Sequence, residues 1–382
     1  MIYPDAANRI QKRALIVGVV GVVLTAVGYF INSAQFFQSY LVAFLDWTGI
    51  AIGSMALLML YHITGGEWGF VIRRMLESAT RTFPLMGLLF LPILLGMKSL
   101  YLWADPEKVK LDEVLVNKSA YLNVPAFIAR TIFYFIVWSA MAYFLSKWSA
   151  EQDHTGDPAP ARRLLTLSAP GLPVLGLTVT FAAIDWIMSL EPKWYSTIYG
   201  VWYLIGGVLT TLAFMILGAR IFSDYPPMDQ VYKPKHFHDL GNLTLAFTML
   251  WAYVSFSQFL IIWSGNLPEE TPFYVKRLGQ GWQMIALVLV LFHFALPFLV
   301  LLSRDVKRRI DRLAALALGM LFMRYLDLFW VVRPAWGGPP RLHWLDLTTS
   351  AGIGGIWIAV FLWQLKVRPL LPVHDPQGEA SF

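Results

Sequence analysis

Residues 14–31 read ALIVGVVGVVLTAVGYFI, a run of 18 without a single charged side chain. A helix of about 20 apolar residues matches the hydrocarbon thickness of a bilayer, so the run predicts a membrane span. Arg9, Lys12 and Arg13 precede it. A basic start of this kind resembles a secretory leader. No small-residue cleavage site follows, however, and the apolar run is longer than a leader's, so the sequence predicts a retained first span.

Comparable runs recur along the chain, and the predicted spans are about 14–33, 38–63, 83–103, 125–148, 171–190, 196–222, 240–263, 279–302, 312–333 and 343–366. Of the 382 residues, 57% are hydrophobic and 14% charged, against about 25% charged in ordinary soluble domains. No ten-residue alternating pattern suggests a β-barrel. The expected fold is an all-α integral membrane protein of about ten transmembrane helices in a single polytopic domain, residues 1–382.

Lys and Arg set the expected orientation. With the N-terminus inside, Arg9, Lys12, Arg13, Arg73, Arg74, Arg81, Lys147, Arg162, Arg163, Arg220, Lys233, Lys235, the cluster Arg304–Arg312, Lys366 and Arg368 all fall on inside segments. This bias predicts cytoplasmic termini, and it accounts for the net charge of +6 without any nucleic-acid partner. Trp103, Trp194, Trp263, Trp336 and Trp344 fall at outer span ends, as an aromatic belt would. Residues 67–83 mix Trp68, Phe70, Val71 and Leu76 with three arginines, which suits a helix lying in the interface. The charged loop 104–124 is expected to form a small cap, and the Pro-rich tail 367–382 to be poorly ordered on the cytoplasmic side.

One internal repeat is visible. Span five ends FAAIDWIMSLEP, from Phe181 to Pro192, and span nine ends MRYLDLFWVVRP, from Met323 to Pro334. Asp185 and Asp327 each stand seven residues before a proline, about 10 Å from it along a helix. The equal spacing predicts two parallel four-helix bundles, 38–190 (spans two to five) and 196–333 (spans six to nine), flanked by spans one and ten.

Ionisable groups are costly in hydrocarbon and usually mark a pathway or a packed pair. Asp46, Lys98, Arg130, Asp185, Arg324, Asp327 and Asp346 fall in the outer half of their spans or near its edge, whereas Tyr61, His62 and His293 fall in the inner half. His236 and His238 stand at the inner end of span seven. Ser255, Ser257 and Gln258 add polar groups at the depth of the acids. Two readings stay open. In one, Asp46, His62, Asp185, His293, Arg324 and Asp327 belong to a hydrated proton path. In the other, Arg324–Asp327 and Arg130–Asp185 are fixed ion pairs, and Lys98 and Asp346 either pair too or snorkel to the interface. His293 is better read as hydrogen-bonded or proton-carrying than as a haem ligand, since only His62 could face it at depth.

No phosphate-binding Gly loop, HExxH or nucleophile elbow occurs. With no cysteine, the chain binds no cysteine-ligated iron–sulfur cluster or covalently held haem of its own. Gly352, Gly354, Gly355, Gly206 and Gly207 predict close helix packing. Pro84, Pro92, Pro173 and Pro297 can each kink a span, although no pair of spans is clearly interrupted.

The stretch DWIMSLEPKWYSTIYG, from Asp185 to Gly200, resembles the signature of the ActF-type membrane subunits of bacterial alternative complex III, within the NrfD/polysulfide-reductase-type anchors. The resemblance implies a subunit of a respiratory quinol:electron-acceptor (cytochrome c) oxidoreductase in a bacterial cytoplasmic (inner) membrane. Partners implied are a sibling ActC-type membrane subunit, an iron–sulfur subunit, multihaem and monohaem cytochrome c subunits, and lipids. It also implies proton conduction and possible quinone or quinol contact, with iron–sulfur clusters and haem c carried by the partners. The family's best-established quinol site belongs to the ActC-type subunit, and no outer-half histidine here matches it. The competing readings are a stand-alone secondary transporter, disfavoured because the polar groups are skewed outward rather than at the midplane, and a purely structural anchor.

Overall fold

The computed structural model of the chain describes residues 5–155 and 157–375. Among them are only helices, turns and loops. Ten helices are long and apolar enough to cross a bilayer: Asp5–Ile31, Ser33–Thr64, Arg73–Leu95, Val124–Thr155, Pro158–Leu190, Tyr199–Phe222, Pro234–Gly265, Trp282–Leu302, Ile310–Trp336 and Trp344–Leu365. The chain is a multi-pass α-helical membrane protein.

Spans two and six are the most buried and pack on each other; span two also meets spans three, five, nine and ten. Span six packs on spans five, seven and nine, and span four on span five. Spans one and eight are the most exposed. Span one buries only Gly18, Gly21, Thr25 and Gly28 of its apolar length, a stripe laid against span ten. The backbones cross so closely that a Cβ at Gly355 would stand 2.4 Å from Gly18 N, a separation only glycine permits. At the end of that crossing Lys366 Nζ bonds Asn8 Oδ1 at 2.8 Å. The first and last helices therefore share one end of the molecule, called proximal below; the opposite end is distal.

Four expectations are corrected. The helix Arg73–Thr80 is wholly buried and opens span three, instead of lying in the interface. An amphipathic charge pattern fits either role, and here the partners come from far along the chain. Arg73 bonds Glu77 Oε1 at 2.8 Å, Asp375 Oδ2 at 2.5 Å and Gln152 Oε1 at 2.9 Å. Arg74 bonds Glu77 Oε2 at 2.7 Å and pairs with Asp153. Second, the start of the expected tail is partly packed: Leu370 and Asp375 are buried, and Tyr61 Oη donates to Asp375 Oδ2 at 2.6 Å, while Val373 and His374 stay exposed. Residues 376–382 of the expected tail lie outside the described residues.

Third, spans three and eight are both interrupted. Span three breaks into Phe83–Leu89, Leu91–Leu95 and Met97–Leu100, with Pro84 and Pro92 each in a segment's first turn. Span eight carries a π-helical stretch, Leu289–Ala295, ahead of Pro297. Pro297 has no N–H to return to the His293 carbonyl, so the ladder must shift there. Fourth, the aromatic belt is partial. Trp103 and Trp194 are buried, the latter stacked on Phe273 at 4.0 Å, while Trp263 and Trp344 remain exposed.

The loop 104–124 folds into two short helices, Pro106–Lys110 and Glu113–Lys118, tied down by Lys118 Nζ on the Pro192 carbonyl at 2.6 Å. Asp112 pairs with Lys193 at 2.7 Å, and that hydrogen bond holds its carboxyl below the usual range.

Candidate functional site

Asp185 lies one residue before the end of the helix Pro158–Trp186 and is fully buried. Arg130, near the start of span four, meets it as a fork: Nε donates to Oδ2 and Nη2 to Oδ1, both at 2.9 Å. Tyr134, one turn on, adds a bond to Oδ2 at 2.8 Å. Arg130 also donates to the Tyr121 carbonyl at 3.1 Å, and its Cζ stands 3.9 Å from the Tyr121 ring centroid. Trp186 donates to Thr131 Oγ1 at 3.1 Å, and Tyr101 Oη to the Trp186 carbonyl at 2.9 Å. Both carboxylate oxygens are bonded. Forked arginine–carboxylate bonds are strong and strict in geometry, so this carboxylate is held in one orientation.

Asp327 is built differently. Its ion-pair partner, Arg324, comes from its own helix three residues earlier and touches only Oδ2. Asp327 Oδ1 and Arg324 Nη2 are buried without hydrogen-bond partners. The Trp251 indole lies beside the carboxylate without closing a hydrogen bond to it. That ring meets the His293 imidazole edge-on at 4.4 Å, and both His293 ring nitrogens are buried and unpartnered. Asp46, from span two, is within electrostatic reach of Arg324 and also has an unpartnered buried oxygen. The guanidinium lies over Gly206, where a Cβ would stand 2.3 Å from Arg324 Cζ. A buried polar group without a partner costs about 1–3 kcal/mol, so this concentration of them requires a reason.

No family model matches the chain, and no curated protein matches it. The reading of the site therefore rests on its own geometry. Among the described residues no group of three or more His, Asp or Glu is placed to hold a metal ion.

Asp46, Asp327 and His293 stand within electrostatic reach of Arg324, whereas Asp185 pairs with Arg130. His62 belongs to neither group; its Nδ1 is 3.1 Å from Ser168 Oγ, at the proximal end beside Tyr61. Lys98 and Asp346 are not ion pairs. Lys98 is exposed, with no ionic partner within 4 Å among the described residues, as snorkelling requires. Asp346 is buried and caps span ten: His343 N donates to Oδ2 at 2.8 Å and Ser39 Oγ to Oδ1 at 2.5 Å. Of the polar residues of span seven, Ser257 is spent on its own helix, bonding the Tyr253 carbonyl at 2.5 Å. Gln258 accepts from Ser196 Oγ at 3.2 Å, and Ser255 Oγ is buried and unpartnered.

Two charged groups went unrecognised in the sequence. One is the proximal network of Arg73, Arg74, Glu77, Asp153 and Asp375; the spacing of Arg73 and Arg74 to Glu77 was its signal. The other is Glu191, inside the 185–200 stretch, bonded by Arg277 Nη2 at 2.7 Å and Lys276 Nζ at 2.9 Å. Arg277 is buried, stands 3.5 Å over the Phe273 ring and donates to the Val331 carbonyl at 2.5 Å, so it joins the signature to the end of span nine. At the proximal end Glu67, between spans two and three, is held below its usual range by a hydrogen bond from Lys235 at 2.9 Å.

Proposed function

We propose that this chain is the proton-handling membrane subunit of a respiratory quinol:cytochrome c oxidoreductase of the alternative complex III type, lying in a bacterial cytoplasmic membrane with both termini cytoplasmic. It carries no redox centre of its own; clusters and haems sit on the partner subunits. Residues 38–190 and 196–333 form two related four-helix units flanked by spans one and ten. The packing of span four on five and of span seven on six, eight and nine supports that division.

The observation that carries the proton reading is the group Asp46, Arg324, Asp327 and His293. Asp46, Asp327 and His293 lie within electrostatic reach of Arg324 inside membrane-spanning helices, and all four keep hydrogen-bonding capacity unspent. A pair serving only to join helices would use that capacity, as Arg130 and Asp185 do. The assembly reading is supported by the 185–200 stretch and by the absence of cysteine. The transporter reading gains nothing from the interrupted spans. Spans three and eight are the second and third helices of their respective units, so the breaks do not correspond as a repeat-built transport site needs.

Mild extraction from native membranes tests the assembly. The expected result is co-purification with haem-bearing and iron–sulfur-bearing subunits; a chain that migrates alone, free of both, contradicts the proposal.

A further inference from the structure

At the distal end a pocket of about 250 Å³ lies between the cap 104–124, the end of span five and the loop leading to span six. Lys118 and Tyr121 of the cap, Ile184 and Met188 of span five, and Trp194 and Tyr195 of the loop line it. Sites that enclose a whole small molecule measure roughly 300–1,000 Å³, so this pocket fits a headgroup and not an entire amphiphile.

Two donors on its wall are short of an acceptor. Lys118 Nζ gives one bond, to the Pro192 carbonyl at 2.6 Å, and stands 5.9 Å from the Tyr195 ring centroid. An ammonium carries three donors, and no carboxylate lies within 4 Å of this one among the described residues. The acids of this end are already taken: Asp112 by Lys193, Asp185 by Arg130, and Glu191 by Arg277 and Lys276. Burial with no counter-charge beside it moves the Lys118 pKa below the usual lysine range. Trp194 is 4% exposed, its ring fixed by the stack on Phe273, and its Nε1 is buried without a partner. A cation and an N–H donor on one small pocket, with no acid to satisfy them, suit an anion.

Span five supplies the apolar complement. From Ile184 on the pocket wall the same helix face runs through Phe181, Leu177 and Val174, at intervals of three, four and three residues. Those three side chains are exposed along a membrane-spanning helix, so they face lipid. We propose that the pocket binds the phosphodiester head of an anionic glycerophospholipid of the distal leaflet, the phosphate held by Lys118 and Trp194 and the acyl chains lying along Phe181, Leu177 and Val174. A head with net negative charge is preferred to a zwitterion, whose own ammonium would sit near an uncompensated lysine. The bound lipid ties the cap to the bilayer. The proposal needs only the membrane fold and stands apart from the respiratory reading.

Native mass spectrometry of the full chain in detergent tests it, with dioleoyl phosphatidylglycerol, dioleoyl phosphatidylcholine and glycerol phosphate as probes. Phosphatidylglycerol is expected to bind about tenfold more tightly than phosphatidylcholine, a difference of about 1.4 kcal/mol, and chain-free glycerol phosphate to show no adduct at the same concentration. Lys118→Gln, which keeps a donor for the Pro192 carbonyl, should erase the preference between the two lipids, and Lys118→Arg should keep it. Lys110→Gln, exposed on the same cap, should leave the ratio unchanged. An unchanged lipid ratio in Lys118→Gln overturns the proposal. So does glycerol phosphate binding as tightly as phosphatidylglycerol, which would make the pocket a soluble-phosphate site. Tyr195→p-benzoylphenylalanine, at the exposed rim, reads the occupant in native membranes. Ultraviolet crosslinking is expected to attach phospholipid; a crosslink to another polypeptide alone contradicts the assignment.

Discussion

Asp185 and Asp327 hold matching places seven residues before a proline, each is buried, and each has an arginine. Around Asp185 every carboxylate oxygen is bonded, by a fork from a neighbouring span and by Tyr134. Around Asp327 one oxygen is bonded from within the same helix, the other faces a cavity, and Asp46 and His293 stand near with unspent polar atoms. The same residue in the same register thus serves two purposes. Where the arginine comes from another helix, the pair locks two spans together. Where it comes from three residues away, the pair ties no second helix, and one carboxylate oxygen is left unbonded.

The sharpest way to break that comparison is Arg130→Ala. It strands a buried carboxylate and should cost about 3–5 kcal/mol, read as a lowered unfolding temperature in detergent. Unchanged stability would mean the fork holds nothing. Asp327→Asn removes one charge-assisted bond and should cost about 2 kcal/mol; a loss as large as that of Arg130→Ala would show that Asp327 is locked as well. Gly206→Ala pushes a methyl into the Arg324 guanidinium and should cost about 1–2 kcal/mol. The same change at Gly176, where a Cβ meets nothing within 4 Å, should stay within about 0.5 kcal/mol. If the two glycines behave alike, the guanidinium is not seated where the comparison requires.

The smallest effect is expected far from both acids. Lys235 holds Glu67 below its usual range, so that pair's contribution is present above the ordinary glutamate pKa and fades as pH falls through the lowered one. On so exposed a pair solvent screens the effect, and Glu67→Gln should flatten the acid limb of the stability curve only slightly.

Much of this was legible in the sequence. Uninterrupted apolar runs reveal ten spans because the bilayer imposes one length on every crossing. The Arg324–Asp327 pair could be read because it is local, three residues on one helix face. Arg130–Asp185 could only be guessed, since its members are 55 residues apart. Of the proximal network only the local spacing of Arg73 and Arg74 to Glu77 was legible: Arg73 finds Asp375 some 302 residues later, and an arginine-rich amphipathic turn looks the same whether it faces lipid headgroups or a buried carboxylate. Asp346 illustrates the reverse. It closes a capping box with His343, three residues ahead at the helix start, a local role that its depth in the membrane masked. The cavity beside Asp327, between spans seven, eight and nine, had no sequence signature, because its walls are shared among helices and a loop.

The most direct test of the difference between the two acids is the number of protons moved per electron by the assembled complex carrying Asp327→Asn. The expected result is a lowered ratio with assembly and electron transfer retained. An unchanged ratio in that assembled complex would contradict the account and leave Asp327, like Asp185, a fixture of the fold.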